Sequence, residues 1–246
     1  MRMKFSPNMT AVLGSWLILF SASAVAQSTQ VVLLGGYADF EGDQGDVCAV
    51  SGVAKESCSG PWNFDGRDES GSVSISGTAK YGPLTGKAKS KISVTDAYMP
   101  PVTTYSSSYN TFIDVLSFPT LPNGTQATLS FTVQLSGVGS VSNVSSSAPA
   151  EASAYIGPSG YPYSECALSA GVGATTCTTT WPWEGGQGSV DVQAELHVAA
   201  FASPDAATGS ASASGNYEAK ITALTMTDAD GNSYEIVAAS GHKYPK

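Results

Sequence analysis

Carboxylate side chains crowd into two short segments of the sequence, and carboxylate oxygens are ligands that calcium prefers in proteins. The segment NFDGRDES contains Asp65, Asp68 and Glu69. The segment DFEGDQGD contains four acidic residues, which are Asp39, Glu41, Asp43 and Asp46. Acidic residues in loops are also commonly solvated without any ligand. We therefore treat both segments as candidate calcium sites, with solvated loops as the alternative.

A third acidic segment, TMTDADGNSYE, presents a choice between a calcium loop and a tight turn. An EF-hand loop needs glycine at its sixth position and glutamate at its twelfth. Counted from Asp228, those positions hold Ser233 and Ala239. The sequence therefore predicts a hairpin turn in which Gly231 takes a positive φ. A looser calcium site is the alternative, and its ligands would be Asp228, Asp230 and Asn232.

Three tryptophans lie in proline-containing segments, Trp62 in GPWNF and Trp181 and Trp183 in TWPWEGG. An exposed indole can stack on a sugar ring, whereas a tryptophan that covers the end of a β-sandwich is structural. We take all three as candidate carbohydrate contacts. On that hypothesis, Trp181→Ala or Trp183→Ala abolishes retention on polysaccharide and leaves the melting temperature unchanged.

Side chains suited to catalysis are sparse in this chain. Nucleophilic catalysis usually places a histidine beside a serine or cysteine and a carboxylate. The two histidines are His197, which shares a predicted strand face with Glu195, and His242, near the C-terminus. No pair of carboxylates stands out for glycoside hydrolysis. The sequence therefore predicts a protein that is not an enzyme, with no catalytic residues and no cofactor beyond the candidate calcium.

Four cysteines are present, and an even number of cysteines in an exported chain indicates disulfides. Four cysteines allow three pairings, and the short intervals favour the local pairs Cys48 with Cys58 and Cys166 with Cys177. Zinc-binding cysteines normally lie about two to four residues apart, which these intervals exceed. Each local disulfide should stabilise the fold by about 3 kcal/mol.

The N-terminal residues have the three parts of a secretory signal peptide. Arg2 and Lys4 precede the apolar run AVLGSWLILF, and the small-residue end SASAVAQ follows. We predict a leader over residues 1–26, cleaved after Ala26, and a single secreted domain over residues 27–246. The apolar run is too short to cross about 30 Å of hydrocarbon. No membrane span is predicted in the mature chain.

The formal net charge of the chain is −9 at pH 7. Such a balance disfavours nucleic acid and anionic membrane surfaces, because both require lysine and arginine to meet their phosphates. A modest negative charge also keeps an exported protein soluble. We therefore expect no nucleic-acid partner.

Hydrophobic residues alternate with polar ones in several windows, and no window sustains a helical stripe. The clearest examples are SVSISGTAKY, ATLSFTVQLS and SVDVQAELHVAAF. Segments rich in Gly, Pro, Asn and Asp, such as YGPLTG, PTLPNGT and EGGQG, separate these windows. The pattern predicts an all-β, antiparallel β-sandwich of jelly-roll or immunoglobulin-like type, stapled by two local disulfides.

Lys87, Lys89 and Lys91 alternate in GKAKSKISV and should line one face of a strand. Contact with an acidic polymer is one interpretation. The other, which we favour from the sequence, is an edge strand that its lysines protect against aggregation.

The segments YGPLTGKAKSK, FIDVLSFPTLPNGTQATLSFTVQLSG and GSASASGNYEAKITALTMTDADGNSYEIVAASGHKY together resemble the outer domains of bacterial exported proteins of the PEP-CTERM type. The resemblance implies an extracellular β-sandwich associated with the envelope or an exopolysaccharide matrix, with no shared catalytic residues. The sorting tail of that group would follow Tyr244, where this chain has Pro245 and Lys246. We therefore expect a secreted or surface-associated protein without that tail.

Taken together, these patterns predict a secreted, non-enzymatic β-sandwich protein of the bacterial envelope or extracellular matrix that acts through surface contacts. The alternative is a calcium-stabilised carbohydrate-binding module.

Overall fold

The computed structural model describes residues 28–40, 43–63, 70–94, 102–143, 150–159, 164–168, 172–203 and 209–246. The predicted leader lies outside these ranges, as does the acidic segment at residues 64–69. All regular elements of the described ranges are strands, and none of these ranges contains a helix that could span a membrane.

The strands of the described residues are, in chain order, β1 (Thr29–Phe40), β2 (Asp43–Gly52), β3 (Lys55–Asn63), β4 (Ser70–Ala79), β5 (Pro83–Val94), β6 (Val102–Ser117), β7 (Gln126–Ser142), β8 (Ala150–Pro158), β9 (Ser164–Leu168), β10 (Val172–Glu184), β11 (Ser189–Ala202), β12 (Gly209–Asp228) and β13 (Val237–Ala238).

These strands form two antiparallel sheets. The seven-stranded sheet has the order β2-β1-β6-β11-β8-β9, with β13 also paired to β6. The six-stranded sheet has the order β10-β7-β12-β5-β4-β3. The two sheets pack face to face, since apolar side chains from both contribute to one core. The predicted antiparallel β-sandwich is confirmed.

Alternation along each strand divides the side chains between core and surface. On β11, Val192, Leu196 and Val198 are buried, whereas Asp191 is exposed. The core also contains large side chains from both sheets, each of which contributes about 1.5–3 kcal/mol when fully buried. The largest of these include Phe112, Leu116, Leu129, Phe131, Leu135 and Tyr217.

One part of the interior is polar and closely packed. On β6, the inward positions Ser106, Ser108 and Asn110 are fully buried. The Asn110 side-chain amide donates hydrogen bonds to the Ser108 hydroxyl at 3.0 Å and to the Leu196 carbonyl at 3.3 Å. A Cβ atom at Gly77 of the facing sheet would lie 1.9 Å from the Asn110 Oδ1 atom. Only glycine fits there, so the two sheets approach closely at this point.

A disulfide between Cys48 and Cys58 joins the two sheets at one edge of the sandwich, with a Cα–Cα distance of 6.1 Å. Cys48 lies on the edge strand β2, and Cys58 lies on the edge strand β3 of the other sheet. This predicted pairing is confirmed. Cys177 on β10 is also disulfide-bonded. Its predicted pairing with Cys166 on β9 stays a prediction, because the Cys166 side chain lies outside the described residues.

The fully buried carboxylate of Asp114 on β6 anchors both ends of the described chain. It accepts hydrogen bonds from the Ser28 hydroxyl at 2.8 Å, from the Tyr244 hydroxyl at 2.9 Å, and from the backbone N–H and hydroxyl of Ser240. Burial, followed by the Asp114 charge, raises the pKa of Tyr244. The segment after β13 is therefore held against the sandwich by one buried acid.

The favoured sequence interpretation of the alternating lysines is wrong. Lys87, Lys89 and Lys91 lie on β5, which pairs with β12 on one side and β4 on the other, so they do not occupy an edge strand. Alternation fixes which face a side chain occupies, but strand order depends on long-range pairing that a single segment does not encode.

Candidate functional site

The outer face of the seven-stranded sheet carries a cleft of about 310 Å³. Its lining comes from three adjacent strands: Tyr109 from β6, Tyr155 from β8, and Gln193, Glu195 and His197 from β11. The sandwich core supports these strands from the inner side, so the lining sits on rigid sheet.

Strand register brings the lining together. His197 lies directly opposite Tyr109 on β6, and Glu195 lies directly opposite Tyr155 on β8. Gln193, Glu195 and His197 occupy alternate positions of one strand, so all three project from the same face. The cleft is thus built from cross-strand pairs, which are the units of side-chain contact in a sheet.

Tyr109 and His197 form a parallel stack, with ring centroids 4.1 Å apart and an interplanar angle of 11°. Tyr109 keeps 40% of its surface exposed. The Nε2 atom of His197 is buried and has no hydrogen-bond partner among the described residues. Burial lowers the pKa of His197, so the imidazole is neutral at pH 7. The stack offers an aromatic surface with an unsatisfied polar atom beside it.

Glu195 supplies the carboxylate of the cleft. Burial raises the pKa of Glu195, and a hydrogen bond from the Gln193 side chain acts in the opposite direction. Burial, followed by the Glu195 charge, raises the pKa of the Tyr109 hydroxyl. The hydroxyl therefore stays protonated at neutral pH, and the cleft presents a phenol, an amide and a carboxyl group for hydrogen bonding.

A second aromatic pair lies along the same face. Tyr37 on β1 and Tyr105 on β6 have ring centroids 5.1 Å apart at an angle of 34°. Between the Tyr105 and Tyr109 positions, the outward residues Ser107 and Ala199 are only 6% and 3% exposed. These two small residues pair directly across β6 and β11. They separate the Tyr37–Tyr105 pair from the Tyr109–His197 pair.

None of the three predicted tryptophan contacts lies beside the cleft, and Trp62 is remote from the other two. Trp62 lies on the edge strand β3, and Trp181 and Trp183 lie on β10 at the opposite edge of the six-stranded sheet. All three are half-buried against the interior. Trp181 meets Phe131 edge-to-face at 5.4 Å, and Trp183 meets Phe118 at 5.5 Å. Their rings act as packing for the ends and edges of the core.

The DADGN segment forms the predicted tight turn, with Gly231 at φ 83°. Asp228 Oδ1 accepts hydrogen bonds from the backbone N–H groups of Asp230 and Asn232. Its Oδ2 accepts from the Asn232 side-chain amide at 2.9 Å and from the Tyr234 hydroxyl at 2.6 Å. These hydrogen bonds, that of Tyr234 first, lower the pKa of Asp228 to about 2. The carboxylate caps the turn with both oxygens.

The other candidate calcium ligands stay predictions. The side chains of Asp39, Glu41 and Asp43 lie outside the described residues, and Asp46 on β2 is exposed. Within the described ranges, no group of three or more His, Cys, Asp or Glu side chains is arranged to hold a metal ion.

Tyr109 and Tyr155 were missed by the sequence interpretation, which included His197 and Glu195 only as a weak catalytic possibility. One signal was available, because the tyrosines of VTTYSSSYNTF share the alternation phase of Thr103 and Thr111. Aromatic side chains at outward positions, where polar residues are expected, indicate a binding surface. The cross-strand partners of these rings were beyond sequence reasoning.

No family model and no curated protein matches the chain. Among solved structures, one described as TmCBM61 in complex with beta-1,4-galactotriose is similar over 68% of this chain and 86% of that chain. The sequence identity is 6% and the TM-score is 0.20. A likeness this weak carries no argument about function.

Proposed function

We propose that this protein is a non-enzymatic, exported β-sandwich that binds polysaccharide through its surface, and that the cleft holds a neutral glycan. The observation that carries the proposal is the stacked Tyr109–His197 pair beside a half-buried carboxyl group on a rigid sheet.

The cleft chemistry matches a sugar. The apolar face of a pyranose ring packs on an aromatic surface, and its hydroxyl groups both donate and accept hydrogen bonds. Tyr109 offers the aromatic surface, while Gln193 and Glu195 offer the polar partners.

Charge favours a neutral glycan over an acidic one. The described strands of the seven-stranded sheet contain no lysine or arginine. Their outward residues include Asp46, Glu151, Asp191 and Glu195. A uronate or sulfate in the cleft would meet like charge with no cation to offset it.

The lining supports binding rather than hydrolysis. Glycoside hydrolysis generally uses two carboxyl groups that flank the scissile bond. Among the described residues that line the cleft, Glu195 supplies the only carboxyl group. Bound oligosaccharide should therefore be recovered intact, and release of reducing ends would contradict this part of the proposal.

The test compares Tyr109→Ala and Tyr109→Phe by calorimetric titration with neutral β-1,4-linked hexasaccharides of glucose, xylose, mannose and galactose. Tyr109→Ala should lower affinity for the bound sugar about tenfold, which corresponds to about 1.4 kcal/mol. Tyr109→Phe keeps the ring and should lose less.

Val138→Ala is the matched control, because Val138 is an exposed apolar residue of the other sheet. Its affinity should equal that of the wild type. Equal affinities for all four proteins, or no binding by the wild type, would overturn the proposed site.

A further inference from the structure

We propose a second binding site on the opposite face of the sandwich, where Lys87, Lys89 and Lys91 form a stripe that binds an acidic polysaccharide lying along β5. This lysine stripe is separate from the cleft, because it belongs to the six-stranded sheet. The two proposals therefore stand or fall independently.

The geometry of the stripe is regular. All three lysines are exposed and alternate with the buried residues Ala88 and Ser90. Side chains two residues apart on a strand lie about 6.8 Å apart. The ammonium groups therefore form a straight row along the strand, which suits an extended, linear polyanion.

The neighbours of the stripe provide hydroxyl and amide groups. Each lysine lies between a residue of β12 and a residue of β4 at the same level of the sheet. From Lys87 to Lys91 the flanking pairs are Asn216 and Ser76, Ser214 and Ser74, and Ser212 and Ser72. None of these partners carries a negative charge, and all of them can exchange hydrogen bonds with sugar hydroxyl groups.

The fold gains nothing evident from this row of charge. Lysine is depleted in strands, and like charges on one strand face repel each other. Edge protection does not explain the stripe, since β5 is internal. Residues that are unfavourable for their secondary structure and do not stabilise the fold are typical of a functional surface.

Lysines are also segregated between the two sheets, whereas acidic residues occur on both, including the exposed Glu218 of β12 on the same face as the stripe. All lysines on the described strands belong to the six-stranded sheet, at Lys55, the stripe and Lys220. The chain as a whole carries a net charge of −9. An anionic ligand would therefore be attracted by the local positive charge of the stripe, although the molecule as a whole is acidic.

The observations favour polysaccharide over nucleic acid. Proteins that hold single-stranded nucleic acid usually stack its bases on aromatic side chains, and the residues that flank the stripe are serines and an asparagine.

The experiment measures retention of the full mature protein on immobilised polygalacturonate as a function of NaCl concentration. The test variant is Lys87→Gln/Lys89→Gln/Lys91→Gln. The control variant, Lys80→Gln/Lys243→Gln/Lys246→Gln, makes the same change in net charge at exposed positions outside the strands. The wild type should bind at low salt and elute as salt screens the charges.

The stripe variant should bind polygalacturonate at least about tenfold more weakly than the wild type, while the control variant should change less than about twofold. Equal losses in both variants, or no binding by the wild type, would overturn the proposal. Tighter binding to single-stranded DNA than to polygalacturonate would also overturn it. A further result would also overturn the proposal: the wild type self-associates as its concentration rises, the stripe variant does not, and neither binds polysaccharide. The stripe would then bind the acidic face of a second copy of the protein.

Discussion

The two outer faces of the sandwich enclose the same core and present different chemistry. The face of the seven-stranded sheet has tyrosines, a histidine and carboxyl groups at its outward positions, and its described strands contain no lysine or arginine. The face of the six-stranded sheet has serines, threonines and the lysine stripe. Rings with carboxyl groups suit a neutral sugar, whereas ammonium and hydroxyl groups suit an anionic one. The two proposed sites together would allow one molecule to bridge two kinds of glycan.

The comparison shows where functional information lies in a sandwich of this kind. Apart from the buried polar residues of β6, inward positions on both sheets are filled mainly by small and apolar residues, because both sheets meet one core. Outward residues do not pack in the core, and it is their types that differ between the two faces. An outward residue of an unusual type for its position is therefore more informative than a buried one. Tyr109 is an aromatic residue on the surface, and Lys89 is a lysine on an internal strand.

The largest effect should come from a residue that belongs to neither face. Trp181→Ala removes an indole that packs on Phe131, so we expect the free energy of unfolding to fall by about 3 kcal/mol. Glycan binding at both faces should be unchanged at temperatures where the variant is folded. Urea denaturation measures the first quantity and calorimetric titration the second.

Thr180→Ala is the control for Trp181→Ala, because Thr180 is an exposed neighbour on the same strand. It should leave stability within about 0.5 kcal/mol of the wild type. Loss of sugar binding by Trp181→Ala with unchanged stability would restore the original tryptophan hypothesis and remove the cleft from its central place.

A smaller effect should appear on the cleft face as the pH falls. Burial lowers the pKa of His197, so the unfolded chain takes up the proton at a higher pH than the folded protein. The stability that depends on neutral His197 is therefore complete above about pH 6.5 and is lost as the pH falls toward the folded pKa. Glu195, whose pKa is raised by burial, acts in the opposite direction.

The His197 contribution is isolated by comparing the wild type with His197→Gln between pH 7.5 and pH 5 in denaturant titrations. We expect the wild type to lose stability relative to His197→Gln on acidification. The same comparison with His242→Gln serves as the control. A stability difference that does not change with pH would contradict the buried, neutral imidazole.

The smallest effect concerns the turn, which lies outside both faces. The pKa of Asp228 is lowered to about 2, so its stabilising hydrogen bonds are present above about pH 4 and are lost as the pH falls toward 2. Asp228→Asn should lower the melting temperature slightly at pH 7, and this difference should shrink as the pH falls through 2. A calcium-dependent rise of the wild-type melting temperature that Asp228→Asn removes would instead identify a calcium site.

Sequence alternation was sufficient for much of the fold. It identified the inward residues Val73 and Ile75 of β4 and Leu129 and Phe131 of β7, all of which are buried. Local signals also predicted the turn at Gly231. These features depend on neighbours close in the sequence, which a single chain displays directly.

Long-range pairing accounts for what the sequence did not predict. The cleft requires β6, β8 and β11 to lie side by side, and β5 became internal only through pairing with β12. One tryptophan carried a usable local signal that was overlooked. Trp62 shares the alternation phase of Cys58. Because the Cys48–Cys58 disulfide joins the two sheets, the inward direction of Trp62 follows from that phase.

The most direct test of the central claim uses the two histidines as reporters. His197 lines the cleft, whereas His242 lies beside Tyr244 in the C-terminal segment. Imidazole ¹H–¹⁵N spectra recorded during titration with the neutral hexasaccharides should show saturable shifts of the His197 signals and unchanged His242 signals. Unchanged His197 signals at sugar concentrations where binding is detected would show that the glycan lies elsewhere, and the cleft would lose its assigned function.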